Sequence, residues 1–224
     1  MPEGGSLRYR DFQLFMKRLR KQTRTRVRYF VCGEYGEQLQ RPHYHACLFG
    51  YDPPDKRPVI LLAKEYKSWR SKELERLWPH GHIHIGELNV RSAGYAARYC
   101  LKKITGFQAA THYQRVDADG VVHNLLPEFA RMSLRPGIAA LWFNRYRSDV
   151  CTQDYVVHDG RKFSVPKYYD RLNEREDPDD YAKWKEDRES RALAFRQDAT
   201  PERLAVREVV EAARIAQLKR GYET

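Results

Sequence analysis

Two histidines separated by one residue, in Arg41-Pro42-His43-Tyr44-His45-Ala46-Cys47-Leu48-Phe49-Gly50, have a spacing that suggests chemistry. They open an apolar run bounded by Pro and Gly, the pattern of a buried strand. Side chains alternate across a strand, so His43 and His45 fall on one face and Tyr44 on the other. Imidazoles about 7 Å apart along a strand can converge on one metal ion. Tyr29-Phe30-Val31-Cys32-Gly33-Glu34 is a second apolar run, and Tyr35 to Gln40 is a polar, Gly-containing connection. An antiparallel hairpin centred on Gln38 and Leu39 sets Glu34 opposite His43, with Cβ atoms about 5 Å apart. Two imidazoles and a carboxylate then share a surface, with room for water or substrate. One residue of slip would move Glu34 to the wrong face, so the register decides the reading.

A second cluster lies in Ser92 to Lys103 (SAGYAARYCLKK). Ser92 is suited to N-cap a helix, the alanines favour one, and Lys102-Lys103 suit its C-terminal end. Tyr95 and Tyr99, four residues apart, project from one face a turn apart, with Arg98, Lys102 and Lys103 at neighbouring positions. Two phenols backed by cations suit attack on a phosphodiester. A phenol with an ordinary pKa of about 10 is a poor nucleophile until positive charge stabilises phenolate and phosphate. The bland alternative is two amphipathic tyrosines packed on a sheet. His80, His82 and His84 resemble a metal cluster too, but His82-Ile83-His84-Ile85 alternates as any half-buried strand does, and no further ligand has motif-like spacing.

The elements that must position these residues follow from periodicity. Met1 to Ser6 reads as a loop. Asp11 to Lys21 carries Phe12, Phe15, Met16 and Leu19 at helical spacing under a basic outer surface. Asp52 to Pro58 is a Pro-rich loop, Val59 to Ala63 a short strand or helix start, Glu65 to Trp78 a helix, and His82 to Gly86 a strand. Gly106 to Asn124 is irregular, with a turn at Asp117 to Gly120. Glu128 to Arg135 precedes the apolar Ile138 to Phe143, whose Trp142 and Phe143 are expected in the core. Asp154 to Pro166 reads as a hairpin turning at His158-Asp159-Gly160. Beyond Tyr168 the composition changes to charged helices, the last from Pro201 to Arg220 with Val206, Val209, Val210 and Ala213 as its apolar stripe. These helices are expected to cover the core or a partner.

Composition narrows the class. The 224 residues suffice for one good core with a helical appendage. No run of 18 apolar residues and no secretory leader pattern is present, which points to a soluble intracellular protein and no membrane partner. Four cysteines (Cys32, Cys47, Cys100, Cys151) stand far apart, against both a disulfide framework and a zinc knuckle. A formal charge of +11 with 12% aromatic residues favours a polyanionic partner, most economically nucleic acid.

Taken together, these segments resemble the replication initiation proteins of microviruses, small single-stranded DNA phages, within the His-hydrophobic-His (HUH) endonucleases. The resemblance runs from Gly5 to about Leu172. It is carried by GEYG (Gly33–Gly36), RPHYHACLFG (Arg41–Gly50), WPHGHIHIG (Trp78–Gly86), YAARYCLKK (Tyr95–Lys103), RPGIAALWF (Arg135–Phe143) and VPKYYDRL (Val165–Leu172). It implies an α+β fold, an antiparallel sheet flanked by helices with the histidine pair on a central strand. Residues 1–172 are expected to form the endonuclease domain and 173–224 a charged helical extension. It also implies that His43, His45 and Glu34 hold Mg²⁺ or Mn²⁺, with no nucleotide cofactor. Tyr95 or Tyr99 then attacks the scissile phosphate with Lys102 neutralising it, and Lys103 is the substitute lysine. Arg41, Arg91, Arg98 and Lys103 are expected to contact DNA. A host helicase and polymerase would act with it in the cytoplasm of the bacterial host.

One departure concerns the N-terminus. Family members usually carry an apolar strand before the first helix, and this chain begins at Met1-Pro2-Glu3-Gly4-Gly5, which looks like sequence just after it. An unpaired sheet edge is therefore expected, which a homo-oligomer would cover. Three rival readings stand beside the initiator: a plasmid or transposon nickase with the same metal and tyrosine logic, a truncated non-catalytic DNA-binding protein, and a zinc-stabilised module using histidines with Cys32 or Cys47.

Overall fold

The computed structural model describes residues 5–37, 39–59 and 67–217. The architecture is α+β, with small antiparallel sheets and helices followed by a helical C-terminal part. The packing divides into two compact units, residues 1–138 and 139–224.

In the first unit, helix α1 (Tyr9–Thr23) buries Phe12, Phe15, Met16 and Leu19, the stripe its spacing predicts. Strand β1 (Arg28–Tyr35) then pairs antiparallel with β2 (Pro42–Phe49), and Glu34 lies opposite His43 as the hairpin reading requires. The hairpin's expected centre includes Gln38, which lies outside the described residues. On one face of the pair, Tyr29, Val31, Tyr44 and Leu48 pack against α1. The other face carries Cys32, Glu34, His43, His45 and Cys47 by the strand alternation.

Short elements follow: β3 (Arg57–Val59) pairs with β4 (Ser68–Arg70), then comes helix α2 (Lys72–Leu77). Of the helix expected over Glu65 to Trp78, positions 65 and 66 lie outside the described residues, Ser68–Arg70 is strand and Lys72–Leu77 is helix. The helix begins only after Ser71, whose hydroxyl accepts the Leu74 amide (3.1 Å) as an N-cap, while Trp69 belongs to a strand. The Val59 to Ala63 reading lies outside the described residues from position 60 on. The strand expected at His82 to Gly86 contracts to one bridge, between Ile85 and Trp69. Helix α3 (Val90–Arg98) continues as a 3₁₀ turn over Tyr99–Lys102. Helix α4 (Ala109–His112) and a hairpin of β5 (Gln114–Val116) and β6 (Val122–Asn124) order the stretch that reads as irregular. Strand β7 (Phe129–Met132) pairs with β1, giving the sheet order β2-β1-β7.

One expectation changes here. The histidine strand was expected at the centre of the sheet, but β1 is central and β2 has no strand on its outer side among the described residues. The third strand, β7, is four residues of mixed polarity whose pairing is tertiary, not local, in origin.

The second unit comprises α5 (Ala140–Gln153), the hairpin β8 (Tyr155–His158) and β9 (Arg161–Ser164), α6 (Lys167–Glu176), α7 (Pro178–Leu193) and α8 (Pro201–Ala216). The hairpin turns through Asp159 (φ 48°) and Gly160 (φ 71°), a left-handed pair in which glycine costs nothing. Phe143, Val150, Val165, Tyr169, Leu172 and Trp184 form one core. The charged helix α7 contributes Trp184 to the cluster that holds Phe143, so the compact unit 139–224 takes in residues on both sides of position 172. Trp142, expected in the core, is 44% exposed, its ring beside Tyr146 and Tyr169. The stripe of α8 is exposed at Val206, Val209 and Val210, and the helix buries none of its described residues.

Candidate active site

The local sequence builds the site from two pieces. The β1–β2 hairpin presents its polar face, and α3 with its 3₁₀ turn lies across that face. Helix α3 starts earlier than Ser92. Asn89 is the N-cap and accepts the Ser92 amide (3.0 Å), while the Ser92 hydroxyl accepts the Asn89 amide (2.9 Å), a reciprocal capping box. Ser92 therefore serves at the third helical position. This fixes the rotation of α3, and Ala96 faces inward.

Tyr99 is buried, 4% exposed, and its ring stacks on His45 with centroids 4.0 Å apart and planes 7° apart. Tyr95, half-buried, meets Tyr99 edge-on at 5.0 Å and His45 edge-on at 5.9 Å. The Tyr99 hydroxyl donates a hydrogen bond to the Tyr95 oxygen. In the 3₁₀ turn, residues i and i+3 eclipse, so Lys102 comes back over Tyr99. Its Nζ lies 4.9 Å from that ring centre and 2.6 Å from Glu34 Oε2. The other carboxylate oxygen, Oε1, is 2.8 Å from His45 Nε2. Burial works against ionisation of Glu34, but the contacts with His45 and Lys102 overcome it and hold the carboxyl below its ordinary range.

Tyr95, Tyr99, His45, Glu34 and Lys102 are thus brought together. His43 shares their face, but its ring lies against Gly36: a Cβ built there would stand 2.7 Å from His43 Cε1. Arg91 is exposed on the first turn of α3 and Arg98 half-buried on its last. Lys103 is exposed one residue beyond the turn, and it lines a cleft of about 420 Å³ with Tyr9, Phe129 and Arg131. Arg41 is exposed, and its carbonyl accepts the Gly36 amide (3.0 Å), closing the hairpin. Sequence reasoning missed the Lys102–Glu34 ion pair and the approach of Glu37, whose Oε1 is 3.6 Å from Lys102 Nζ. The hairpin connection that carries Glu37 was the available signal.

His43, His45 and Glu34 suit a divalent ion in type, two imidazoles and a carboxylate. Glu34 Oε1 and His45 Nε2 converge at 2.8 Å, close to the roughly 3 Å that separates neighbouring ligands of an octahedral ion bound at about 2.1 Å. The third ligand is not gathered with them. Among the described residues no group of three or more His, Cys, Asp or Glu side chains is arranged to hold an ion. The reason is visible: His43 rests on Gly36, and a lysine ammonium already neutralises Glu34. His80 contacts Trp78 and approaches Asp11 at 3.9 Å, and it forms no cluster with the exposed His82 and His84. Cys32 and Cys47 are buried, and burial pushes the Cys47 thiol up, away from the thiolate a zinc site needs.

Residues 1–104, which hold every one of these groups, match the model of the replication-associated protein ORF2/G2P family. The chain is 34% identical over 201 residues to the replication-associated protein ORF2 of Spiroplasma virus 4, an alignment covering 84% of this chain and 59% of that protein. It is 30% identical over 190 residues to the replication-associated protein VP4 of Bdellovibrio phage phiMH2K, covering 80% of this chain and 55% of that protein. The chain is thus similar to microvirus-type replication-associated proteins. A third relative, the replication-associated protein ORF4 of Chlamydia phage 1, is 30% identical over 175 residues, covering 74% of this chain and 41% of that protein. The chain therefore spans roughly half the length of the relatives it matches. No solved structure matches it. No helix among the described residues is long and apolar enough to cross a membrane.

Proposed function

We propose that this chain initiates replication of a single-stranded DNA phage by nicking and rejoining DNA through a 5′-phosphotyrosine, as an HUH endonuclease acting in the host cytoplasm. The observation that carries the reading is the convergence of two tyrosines, a histidine, a buried carboxylate and a lysine on one sheet face. The tyrosine oxygen attacks phosphorus, the bond from phosphorus to the 3′ oxygen breaks, and the phenol proton passes to solvent. The departing 3′ oxygen leaves as a hydroxyl that a host polymerase extends, with a host helicase opening the duplex. A second tyrosine allows a second cut while the first holds the old 5′ end, and attack of the new 3′-hydroxyl on the phosphotyrosine closes a circle. Atoms and bond energies balance in this exchange, so no nucleotide cofactor is needed. Held by His43, His45 and Glu34, Mg²⁺ or Mn²⁺ would polarise the phosphate and stabilise the leaving oxygen.

The chain's own residues do the positioning. His45, stacked on Tyr99, fixes the depth of that ring, and Tyr99 in turn directs its hydroxyl at Tyr95. Lys102 supplies positive charge beside the Tyr99 ring. Arg41, Arg91, Arg98 and Lys103 would hold the strand by its phosphates.

A denaturing gel tests this. End-labelled single-stranded fragments of the phage's own genome are incubated with the protein and Mn²⁺, Mg²⁺ or chelator. A covalent adduct that needs the ion and disappears in the Tyr95→Phe/Tyr99→Phe double variant is expected. DNA binding by the folded protein without any adduct would instead support the non-catalytic DNA-binding reading.

A further inference from the structure

The Glu34 carboxylate is nearly sealed from water, its side chain 2% exposed, and its oxygens have separate partners. One faces His45, a proposed ligand of the ion, and the other faces the ammonium of Lys102, itself only 14% exposed. A buried carboxylate with an ammonium 2.6 Å away forms a pair whose net charge is close to zero. The attraction that would draw a divalent cation to Glu34 is therefore already cancelled, and an ion beside Oε1 would face a like charge a few ångströms off.

We infer that Lys102 is the resident counter-cation of Glu34, and that loading of a divalent ion displaces its ammonium from the carboxylate towards the mouth of the site. The inference rests on the metal-dependent reading above and adds an order to it, ion first and lysine second. Three features support the movement. The lysine stem is long and flexible, so the ammonium can relocate without a backbone change. A second acceptor waits outside, the half-exposed carboxylate of Glu37 at 3.6 Å. The ring of Tyr99, 4.9 Å from the ammonium, favours keeping the freed charge beside that phenol. Lys102 is thus a positioning residue whose charge is sequestered until the ion arrives, and phosphate then meets a cation that the unloaded site withholds.

Amine acetylation read by mass spectrometry tests this on the unaltered protein, with Mn²⁺ occupancy followed by electron paramagnetic resonance. Saturating Mn²⁺ is expected to raise the acetylation rate of Lys102 at least threefold, while the exposed neighbour Lys103 stays unchanged as an internal reference. A rate for Lys102 that does not rise although Mn²⁺ is bound overturns the displacement and leaves the metal reading standing. Absence of any bound Mn²⁺ overturns both. As a second measurement, Lys102→Met, checked for folding by circular dichroism, is expected to bind Mn²⁺ at least tenfold more tightly than the parent. Adding Glu34→Gln should remove that gain. Equal or weaker Mn²⁺ binding by folded Lys102→Met would overturn the inference, because a lysine that merely held Glu34 in place would weaken the site when removed.

Discussion

The two tyrosines are equivalent in sequence spacing and unequal in their surroundings. Tyr99 is stacked under His45 and 4% exposed, whereas Tyr95 is half-buried and accepts the Tyr99 hydrogen bond. A donated hydrogen bond stabilises the charge that develops on an oxygen losing its proton, so the arrangement favours Tyr95 for the first attack. On that assignment Tyr95→Phe deletes the proposed first nucleophile and is expected to lower the first-cleavage adduct at least about 100-fold. Tyr99→Phe removes one hydrogen bond and should lower the same adduct only about fivefold, by the worth of such a bond. It should, however, block the second cut and circle closure. Single-turnover kinetics on one oligonucleotide, followed by a closure assay on a two-site substrate, separate these. The reverse order of effects would assign the first attack to Tyr99. The parity of His43 and His45 and the one-face placement of the phenols were legible in the sequence, because both follow from the fixed periods of strand and helix. The ion pair of Lys102 with Glu34 was not, because it depends on a switch from α to 3₁₀ geometry after Arg98 that no composition signal marks.

At the scale of elements, the site depends on β1 lying close to its neighbours. Gly33 lies on the strand face away from the site, where a Cβ would meet Phe129 Cε1 at 2.6 Å and Leu7 Cδ2 at 3.0 Å. The Phe129 ring is already wedged between Tyr9 and Tyr44, with centroids at 5.3 and 6.2 Å, and has little room to retreat. Gly33→Ala is therefore expected to cost about 1–3 kcal/mol, as overpacking does. Phe129→Ala should cost less in the Gly33→Ala background than in the parent, and a double-mutant cycle by urea unfolding measures the coupling. Strict additivity would mean that the two residues do not press on each other. The hairpin was legible down to its register, since two alternating runs and a short polar connection leave few pairings that keep both faces consistent. Strand β7 was not, because Phe129-Ala130-Arg131-Met132 has no alternation and is a strand only through its partner. The misread helix before Trp78 has the same origin. Ser71, Leu74 and Leu77 give a genuine helical signal, but Trp69 is drawn into β4 by its pairing with Pro58 of β3 and is bridged to the distant Ile85.

For the whole molecule, the formal charge of +11 and the exposed cations around the site make binding to nucleic acid an electrostatic matter. Each phosphate that a lysine or arginine neutralises releases condensed counterions, and for single strands this contributes roughly −0.7 to the slope of log affinity against log salt. Lys103 and Arg91 are exposed beside the tyrosine helix, in the first unit, whereas Lys183 is exposed on α7 in the second. If the strand crosses the first unit, Lys103→Ala and Arg91→Ala should each make the slope shallower by about 0.7, with additive effects in the pair. Lys183→Ala should leave it unchanged. Fluorescence anisotropy with a labelled single-stranded oligonucleotide, in chelator to suppress cleavage, provides the measurement. A slope near zero would remove nucleic acid as the partner that the charge implies. A slope lost with Lys183 instead of Lys103 would move the strand to the second unit, and the tyrosine face would then need another route to its phosphate.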